Sequence, residues 1–284
     1  MENSTILTVI GASCANKTLQ PIADVARAKN LHLAYLAVGA IPRLPSYGVG
    51  MLPYSTPVVP DTWQVAVTQT NSDLKAKIDQ IEDMLSDEGL SGDVTSAYAE
   101  PAGLSDLVAW RARVCDLSFI CNSLRDDPQT FKNVLQGLLF NAGAPVVIND
   151  DAGQKSLTAQ NVLIAWNTSL PASRAVRQAL PILKAAKSVT IACFDPDMSE
   201  MADGENPGSD IGKWLTHHGC SVTVEQHPSG GKDVATCILE RVAEVGADLL
   251  VAGAYGHSRL RESLFGGTTA SLAEQRDTPV FMAH

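Results

Sequence analysis

The chain has 284 residues, of which 45% are hydrophobic and 18% are charged. These proportions are typical of folded globular proteins and exclude a disordered chain. The net charge of −10 argues against nucleic acid and anionic membrane surfaces as partners, because both are bound by basic faces. We expect no signal peptide, since residues 1–10 lack a basic region, and no apolar run approaches the ~20 residues that span a bilayer.

Six cysteines are scattered along the chain without a Cys-x-x-Cys pair: Cys14, Cys115, Cys121, Cys193, Cys220 and Cys237. Most lie in or beside apolar segments, where buried free thiols are more common than reactive thiols or metal ligands. Free thiols persist in a reducing compartment, so this pattern predicts a cytoplasmic protein.

The first half of the chain alternates short β-type runs with helical patterns, which indicates parallel α/β architecture. A stripe of Leu74, Ile78, Ile81 and Leu85 predicts one long helix. The predicted strands are residues 6–10, 31–38, 93–99, 116–120 and 144–148.

A segment rich in proline, residues 39–60, interrupts this pattern after the second predicted strand. It contains five prolines, which disfavour regular structure. A loop of this length is either functional or an exposed cover, and we favour a cover that lies over a domain face.

The second half repeats the order of the first, which indicates a weak internal duplication. Its predicted strands are residues 161–166, 188–193, 221–226, 248–252 and 279–283. The interval from Asp116 to Pro145 is 29 residues, and the corresponding interval from Asp248 to Pro279 is 31. We therefore predict two domains, residues 1–150 and 156–284.

A glycine-bearing segment follows the apolar run 248–252, and ligands of open parallel sheets bind beyond such strand ends. Gly253 and Gly256 would let the backbone pass close to a phosphate or ribose, since neither has a Cβ. Gly266 and the three residues Gly267, Thr268 and Thr269 would offer N–H and hydroxyl groups at the start of the next helix. The alternative is a tight strand-to-helix connection that has lost its ligand, and we favour the nucleotide or phosphate pocket because glycine loops of α/β domains often bind phosphates.

The whole pattern, Gly-x-x-Gly, nine residues and then Gly with hydroxyl residues, resembles the ATP-binding signature of the universal stress protein family. Gly253, Gly256 and Gly266 match its three glycines, whereas its Ser/Thr position is Gly267 here. The resemblance implies a doubly wound α/β fold, with a five-stranded parallel sheet and helices on both faces in each half, like that of the adenine nucleotide alpha hydrolases.

The resemblance also implies contacts outside the motif. The Asp that the family places after its first strand is Asn167 here, and Asn can still donate to and accept from a base. The residue near the end of the next strand, Cys193, would contact the base through its backbone. We expect His257, the first of the nine residues, to help position the ligand rather than act as a general acid.

The first half departs from the signature. Its Asp position is Gly11, and the residues after Ile120 contain neither signature glycine. We expect no nucleotide there and interpret this half as structural.

These patterns predict a cytoplasmic stress-response protein that binds ATP or another adenine nucleotide in its C-terminal half; Mg²⁺ could accompany the nucleotide. A slow nucleotide hydrolase or phosphotransferase is one alternative. It is weakened because only Glu262 supplies a carboxylate in the motif loop and no Gly-Lys-Ser/Thr loop exists. A ligand-free protein-interaction scaffold is another alternative.

The last strand of each half is short and apolar, and an unpaired edge of that kind invites association. We therefore expect residues 146–148 and 280–282 to pair, either as a pseudo-dimer inside one chain or in a homodimer.

Overall fold

The computed structural model describes residues 1–42, 60–199, 203–254 and 267–284. The strands within these ranges are β1 (Thr5–Gly11), β2 (His32–Ala40), β3 (Gly92–Ala99), β4 (Leu117–Ile120), β5 (Val146–Ile148), β6 (Asn161–Trp166), β7 (Ser188–Phe194), β8 (Val222–His227), β9 (Leu249–Gly253) and β10 (Val280–Ala283). Each lies within two residues, at either end, of a run predicted from the sequence, because apolar runs bounded by turn residues mark strands well.

Ten α-helices connect these strands or precede them in the described ranges. They are α1 (Asn16–Leu19), α2 (Ile22–Lys29), α3 (Asp61–Asp87), α4 (Pro101–Ala112), α5 (Pro128–Gln136), α6 (Gln154–Leu157), α7 (Leu170–Leu183), α8 (Ser209–His217), α9 (Val234–Glu244) and α10 (Thr268–Glu274). None of the helices in these ranges combines the length and the hydrophobicity needed to cross a membrane.

The described strands form one sheet, in the order β3-β2-β1-β4-β5-β10-β9-β6-β7-β8. All neighbours within the first five are parallel, and so are all neighbours within the second five. Apolar side chains are buried on both faces of this sheet, in two clusters that each continue through both halves. The predicted doubly wound α/β fold is confirmed.

The two halves join at an antiparallel pair of strands, β5 and β10. Ile148 lies opposite Val280, and Val146 lies opposite Met282. All six residues of this pairing are fully buried. The pairing expected inside one chain is therefore present, and the edge that β10 would otherwise expose is covered.

The duplication is visible in one repeated contact at the amino ends of the strands. The Asp116 carboxylate accepts a hydrogen bond from the Thr5 amide at 2.8 Å, which links the starts of β4 and β1. The Asp248 carboxylate accepts from the amides of Gln160 and Asn161 at 2.9 Å, which links the starts of β9 and β6. Equivalent aspartates therefore hold equivalent strand pairs in the two halves.

The long helix α3 differs from its prediction in one detail. Leu74, Ile81 and Leu85 are buried as expected, whereas Ile78 is only partly buried and Lys77 takes a buried position beside it. The proline-rich segment precedes this helix, and its residues 43–59 lie outside the described residues. The predicted cover is therefore a hypothesis about that segment.

Candidate functional site

The carboxyl ends of β6, β7 and β9 meet at one rim of the sheet, because these three strands are neighbours and run parallel. Asn167 comes directly after β6, and Gly253 is the last residue of β9. In β7, Cys193 lies opposite Trp166. The structure thus brings these three predicted site residues to the same rim.

A carboxylate that the sequence interpretation missed lies at this rim. Asp203 accepts hydrogen bonds from the amide and the hydroxyl of Thr168, at 3.0 and 2.6 Å. The Asn167 side chain beside it is exposed and accepts a hydrogen bond from Ser169. Partial burial acts to raise the pKa of Asp203, but the hydrogen bonds from Thr168 and from the Asp197 amide, the latter at 3.0 Å, together outweigh it and lower that pKa. Asp203 is therefore a carboxylate at neutral pH, next to the position where Asn167 replaces the family's Asp.

The side chain of Cys193 faces the protein core, whereas its backbone lies at the rim. Its side chain is buried, and its Sγ lies 3.1 Å from the place where a Cβ on Gly208 would be. Burial, followed by the charge of Asp203, raises the pKa of the thiol to about 11. Any contact between Cys193 and a ligand would thus come from its backbone, as the resemblance implies.

Gly253 has a packing role that its sequence pattern did not reveal. A Cβ added at this residue would lie 2.3 Å from the amide nitrogen of Ala172 and 2.7 Å from the carbonyl carbon of Pro171. Both are backbone atoms in the first turn of α7, which cannot move aside as a flexible side chain could. The end of β9 therefore requires glycine here, whether or not a ligand binds.

The other end of the motif is the start of α10. Gly267 precedes this helix with φ 71° and ψ −165°, a backbone conformation that favours glycine. Among the described residues, no atom lies within 4 Å of the place where its Cβ would be. Thr268 and Thr269 follow and are partly buried. The remaining predicted motif residues, Gly256, His257 and Gly266, lie outside the described residues, as does Glu262.

Two histidines near β8, the edge strand of this half, contact an aromatic ring and a carboxylate rather than a metal-ligand set. The rings of Trp214 and His218 meet edge to face, and His227 pairs with Glu225 at 3.1 Å. Within the described ranges, no three His, Cys, Asp or Glu residues are arranged to hold a metal ion.

The equivalent rim of the first half has different contents. Leu124 lies close to Gly11, with a methyl carbon 3.3 Å from the place where a glycine Cβ would be. Cys14, Cys121 and Lys77 are buried beside it. The rim of the first half thus carries buried apolar and thiol side chains near Gly11, at the position where the second half has the exposed Asn167.

Comparisons with known proteins agree with this architecture. The model of the universal stress protein family matches residues 158–284. A search of curated proteins finds no match. Solved structures with the same fold include a universal stress protein from Archaeoglobus fulgidus, which is 17% identical with a TM-score of 0.69, the match covering 99% of this chain and 96% of that one.

A protein of unknown function from Pseudomonas aeruginosa PAO1 is 16% identical with a TM-score of 0.59, over 98% of this chain and 91% of that one. Both matches extend over the two halves, so the fold of the whole chain is shared with these proteins. On the family match, the C-terminal half of this chain, residues 158–284, belongs to the universal stress protein family.

Proposed function

We propose that the C-terminal half binds ATP or another adenine nucleotide at the rim formed by β6, β7 and β9. The observation that supports this most is the position of both ends of the glycine motif. Gly253 ends a strand at this rim, and Gly267 opens the helix that leads into the neighbouring strand β10. In open α/β sheets such a rim is where ligands bind.

The polar groups at the rim suit a nucleoside. The amide of Asn167 can donate to and accept from an adenine edge. Asp203 is ionised and carboxylates accept several hydrogen bonds, so it can accept from ribose hydroxyls while Thr168 and the Asp197 amide keep their own contacts. Asn167 stands where the family has an Asp, so this position lacks a carboxylate. We assign contact with the ribose to the carboxylate of Asp203 instead.

The phosphates would lie against the motif loop and the start of α10. Amides near Gly267, Thr268 and Thr269 supply donors, with Gly256, His257 and Gly266 completing the loop on the sequence pattern. Mg²⁺ would accompany the phosphates where the nucleotide carries two or three of them. We propose a cytoplasmic binding protein of the stress response rather than an enzyme.

The first experiment identifies the ligand. Protein purified without added nucleotide is denatured, and the released small molecules are examined by mass spectrometry. We expect an adenine nucleotide in near-stoichiometric amount and negligible release of phosphate when ATP is added. Rapid turnover would instead favour a hydrolase. An empty protein that shows no thermal shift with ATP, with or without Mg²⁺, would favour a scaffold.

The second experiment locates the site by isothermal titration with ATP. Gly256→Val should abolish binding, because it puts a branched side chain at a signature glycine, where the motif requires a residue without a Cβ to let the backbone approach the phosphate. Asp203→Asn should weaken binding about tenfold, a loss of about 1.4 kcal/mol. Asp210→Asn is the matched control, since Asp210 is exposed and pairs only with Lys213 in the described contacts. Equal affinity of Gly256→Val and the wild-type protein would place the site elsewhere.

A further inference from the structure

Two cysteines from distant parts of the first half meet at its carboxyl rim. The Sγ atoms of Cys14 and Cys121 lie 3.0 Å apart, although the residues are 107 positions apart in the chain. Both are buried, with 2% and 1% of their surfaces exposed. This is a direct contact between two free thiols, and no disulfide joins them.

The backbone fixes this approach. Cys121 continues β4, and its amide donates to the carbonyl of Val9 in the neighbouring strand β1 at 2.9 Å. The chain turns directly after β1, where the Cys14 amide donates to the Gly11 carbonyl at 3.0 Å. A turn and a strand pairing, rather than two mobile side chains, therefore bring the sulfur atoms together.

Charged and polar groups surround the pair. The Lys77 ammonium is buried and donates to the backbone carbonyl of Cys14, and the Ser123 hydroxyl donates to the Cys121 sulfur at 3.2 Å. The hydrogen bond from the Cys14 thiol, with help from Ser123, lowers the pKa of Cys121. The Asp151 carboxylate lies nearby, where it accepts a hydrogen bond from the amide of Asn122, the residue after Cys121, at 2.6 Å, and burial raises the pKa of this carboxyl. Cys121 is thus the sulfur better prepared to lose its proton.

The other four cysteines lack such a neighbour. All six cysteines lie in the described ranges, and Cys14 with Cys121 is the one thiol–thiol contact among them. The thiols of Cys115 and Cys237, for example, donate to backbone carbonyls.

We propose that Cys14 and Cys121 form a redox-sensitive dithiol, which a peroxide converts into an intramolecular disulfide. Closing the bond requires the sulfur atoms to approach by about 1 Å, to the ~2.05 Å of a disulfide. The site is independent of the proposed nucleotide site, because it lies in the other half and uses none of the same residues.

The reaction balances with hydrogen peroxide as the oxidant. The Cys121 thiol gives its proton to Asp151 as its sulfur attacks one oxygen of the peroxide. The O–O bond breaks, and the departing hydroxide takes the proton from Asp151 and leaves as water. Cys121 is then a sulfenic acid. The Cys14 sulfur attacks the Cys121 sulfur, the S–O bond breaks, and the second water leaves with the Cys14 proton. Two thiols and one peroxide give one disulfide and two waters.

The test counts free thiols in the folded wild-type chain. Reduced protein is treated with a small excess of hydrogen peroxide in native buffer, then denatured and alkylated with N-ethylmaleimide. We expect four labelled cysteines in place of six, a peptide that links Cys14 to Cys121, and recovery of all six with dithiothreitol. Six labelled cysteines, or oxidation at other cysteines without this link, would overturn the proposal. So would a link that appears only in denaturant.

Variants separate the pair from general oxidation. Cys121→Ser should abolish the link, whereas Cys237→Ser, a change at another buried cysteine, should keep it. A link that survives Cys121→Ser with a different partner would contradict the assignment. Should Cys121→Ser fail to fold, the wild-type protein still decides the question: its oxidised form should unfold about 5 °C or more above the reduced form, since the bond closes a long loop.

Discussion

Arg125 in the first half donates a hydrogen bond from Nη1 to the backbone carbonyl of Ala273 in the second half, at 2.8 Å. Its Nη2 donates to the Asn149 side chain at 2.7 Å. The Asn149 amide in turn donates to the carbonyls of Gln275 and Thr278, at 3.0 Å each. Because Arg125 is only 8% exposed, this chain of hydrogen bonds ties the two halves together away from water.

Arg125→Ala should destabilise the protein by about 3 kcal/mol, since it leaves buried acceptors at Asn149 and Ala273 without their donor. The free energy of unfolding in urea measures the effect. Arg27→Ala is the matched control: Arg27 pairs with Asp24 and Glu88 near the surface, where such pairs contribute about 0–1 kcal/mol. Equal losses for the two variants would contradict the role given to Arg125.

Gly253→Ala should cost about 2–3 kcal/mol, because the new methyl group meets the backbone of Pro171 and Ala172. Gly103→Ala in α4 provides the comparison. Of the described residues, its Cβ would meet the Ala99 side chain alone, at 3.2 Å, and alanine favours helices by up to about 1 kcal/mol. Thermal unfolding of the two variants should therefore shift in opposite directions, or only Gly253→Ala should shift. A neutral Gly253→Ala would remove the packing explanation for this glycine.

Glu225→Gln should change how stability depends on pH. The Arg241 guanidinium donates to both carboxylate oxygens of Glu225, at 2.8 and 2.9 Å, and this pairing lowers the pKa of Glu225. Stability from a lowered acid pKa is present above the ordinary value of about 4.3 and is lost as the pH falls below it through the folded value. Between about pH 5 and 3, the free energy of unfolding of the wild type should thus fall by about 1 kcal/mol more than that of the variant.

Urea unfolding at several pH values measures that difference. Glu240→Gln is the control, since Glu240 pairs with Lys232 at an exposed position. The control should keep the wild-type pH profile below pH 5. A parallel profile for Glu225→Gln would mean that the Arg241 contact adds nothing to stability.

Lys77→Met should destabilise the protein by about 2 kcal/mol. Lys77 is 4% exposed, and besides the Cys14 carbonyl its Nζ donates to Asn16 and Gln80, at 3.1 and 2.9 Å. Methionine keeps the apolar stem and leaves these acceptors unpaired. Lys75→Met, at an exposed position of the same helix, should change stability by less than about 0.5 kcal/mol in the same unfolding assay. If Lys77→Met were more stable than the wild type, burial of the charge would cost more free energy than its hydrogen bonds contribute.

The strands and the fold class could be predicted from the sequence, because both depend on local patterns. An apolar run such as Asp248–Ala252, bounded by turn residues, marks a strand wherever it pairs. The repeated order of strands and helices then limits the architecture to a doubly wound sheet.

The side-chain details could not be predicted in this way. Lys77 breaks an apolar stripe, and its burial depends on the Cys14 carbonyl, a partner 63 residues away. Asp203 lies in a long polar connection, and only folding brings it to Thr168. The glycine motif explains Gly253 by a ligand, whereas the structure adds a second reason, the close packing of its backbone against α7. In each case the deciding contact is tertiary, and no local pattern encodes it.

The antiparallel join between β5 and β10 has a consequence for how the two halves can diverge. Since all strands of one half run opposite to those of the other, the two carboxyl rims point toward opposite poles of the molecule. In an assembly of identical subunits a substitution at one pole would be copied at the other by symmetry. A single polypeptide removes that constraint, so one pole can keep glycines suited to a ligand while the other acquires a pair of thiols.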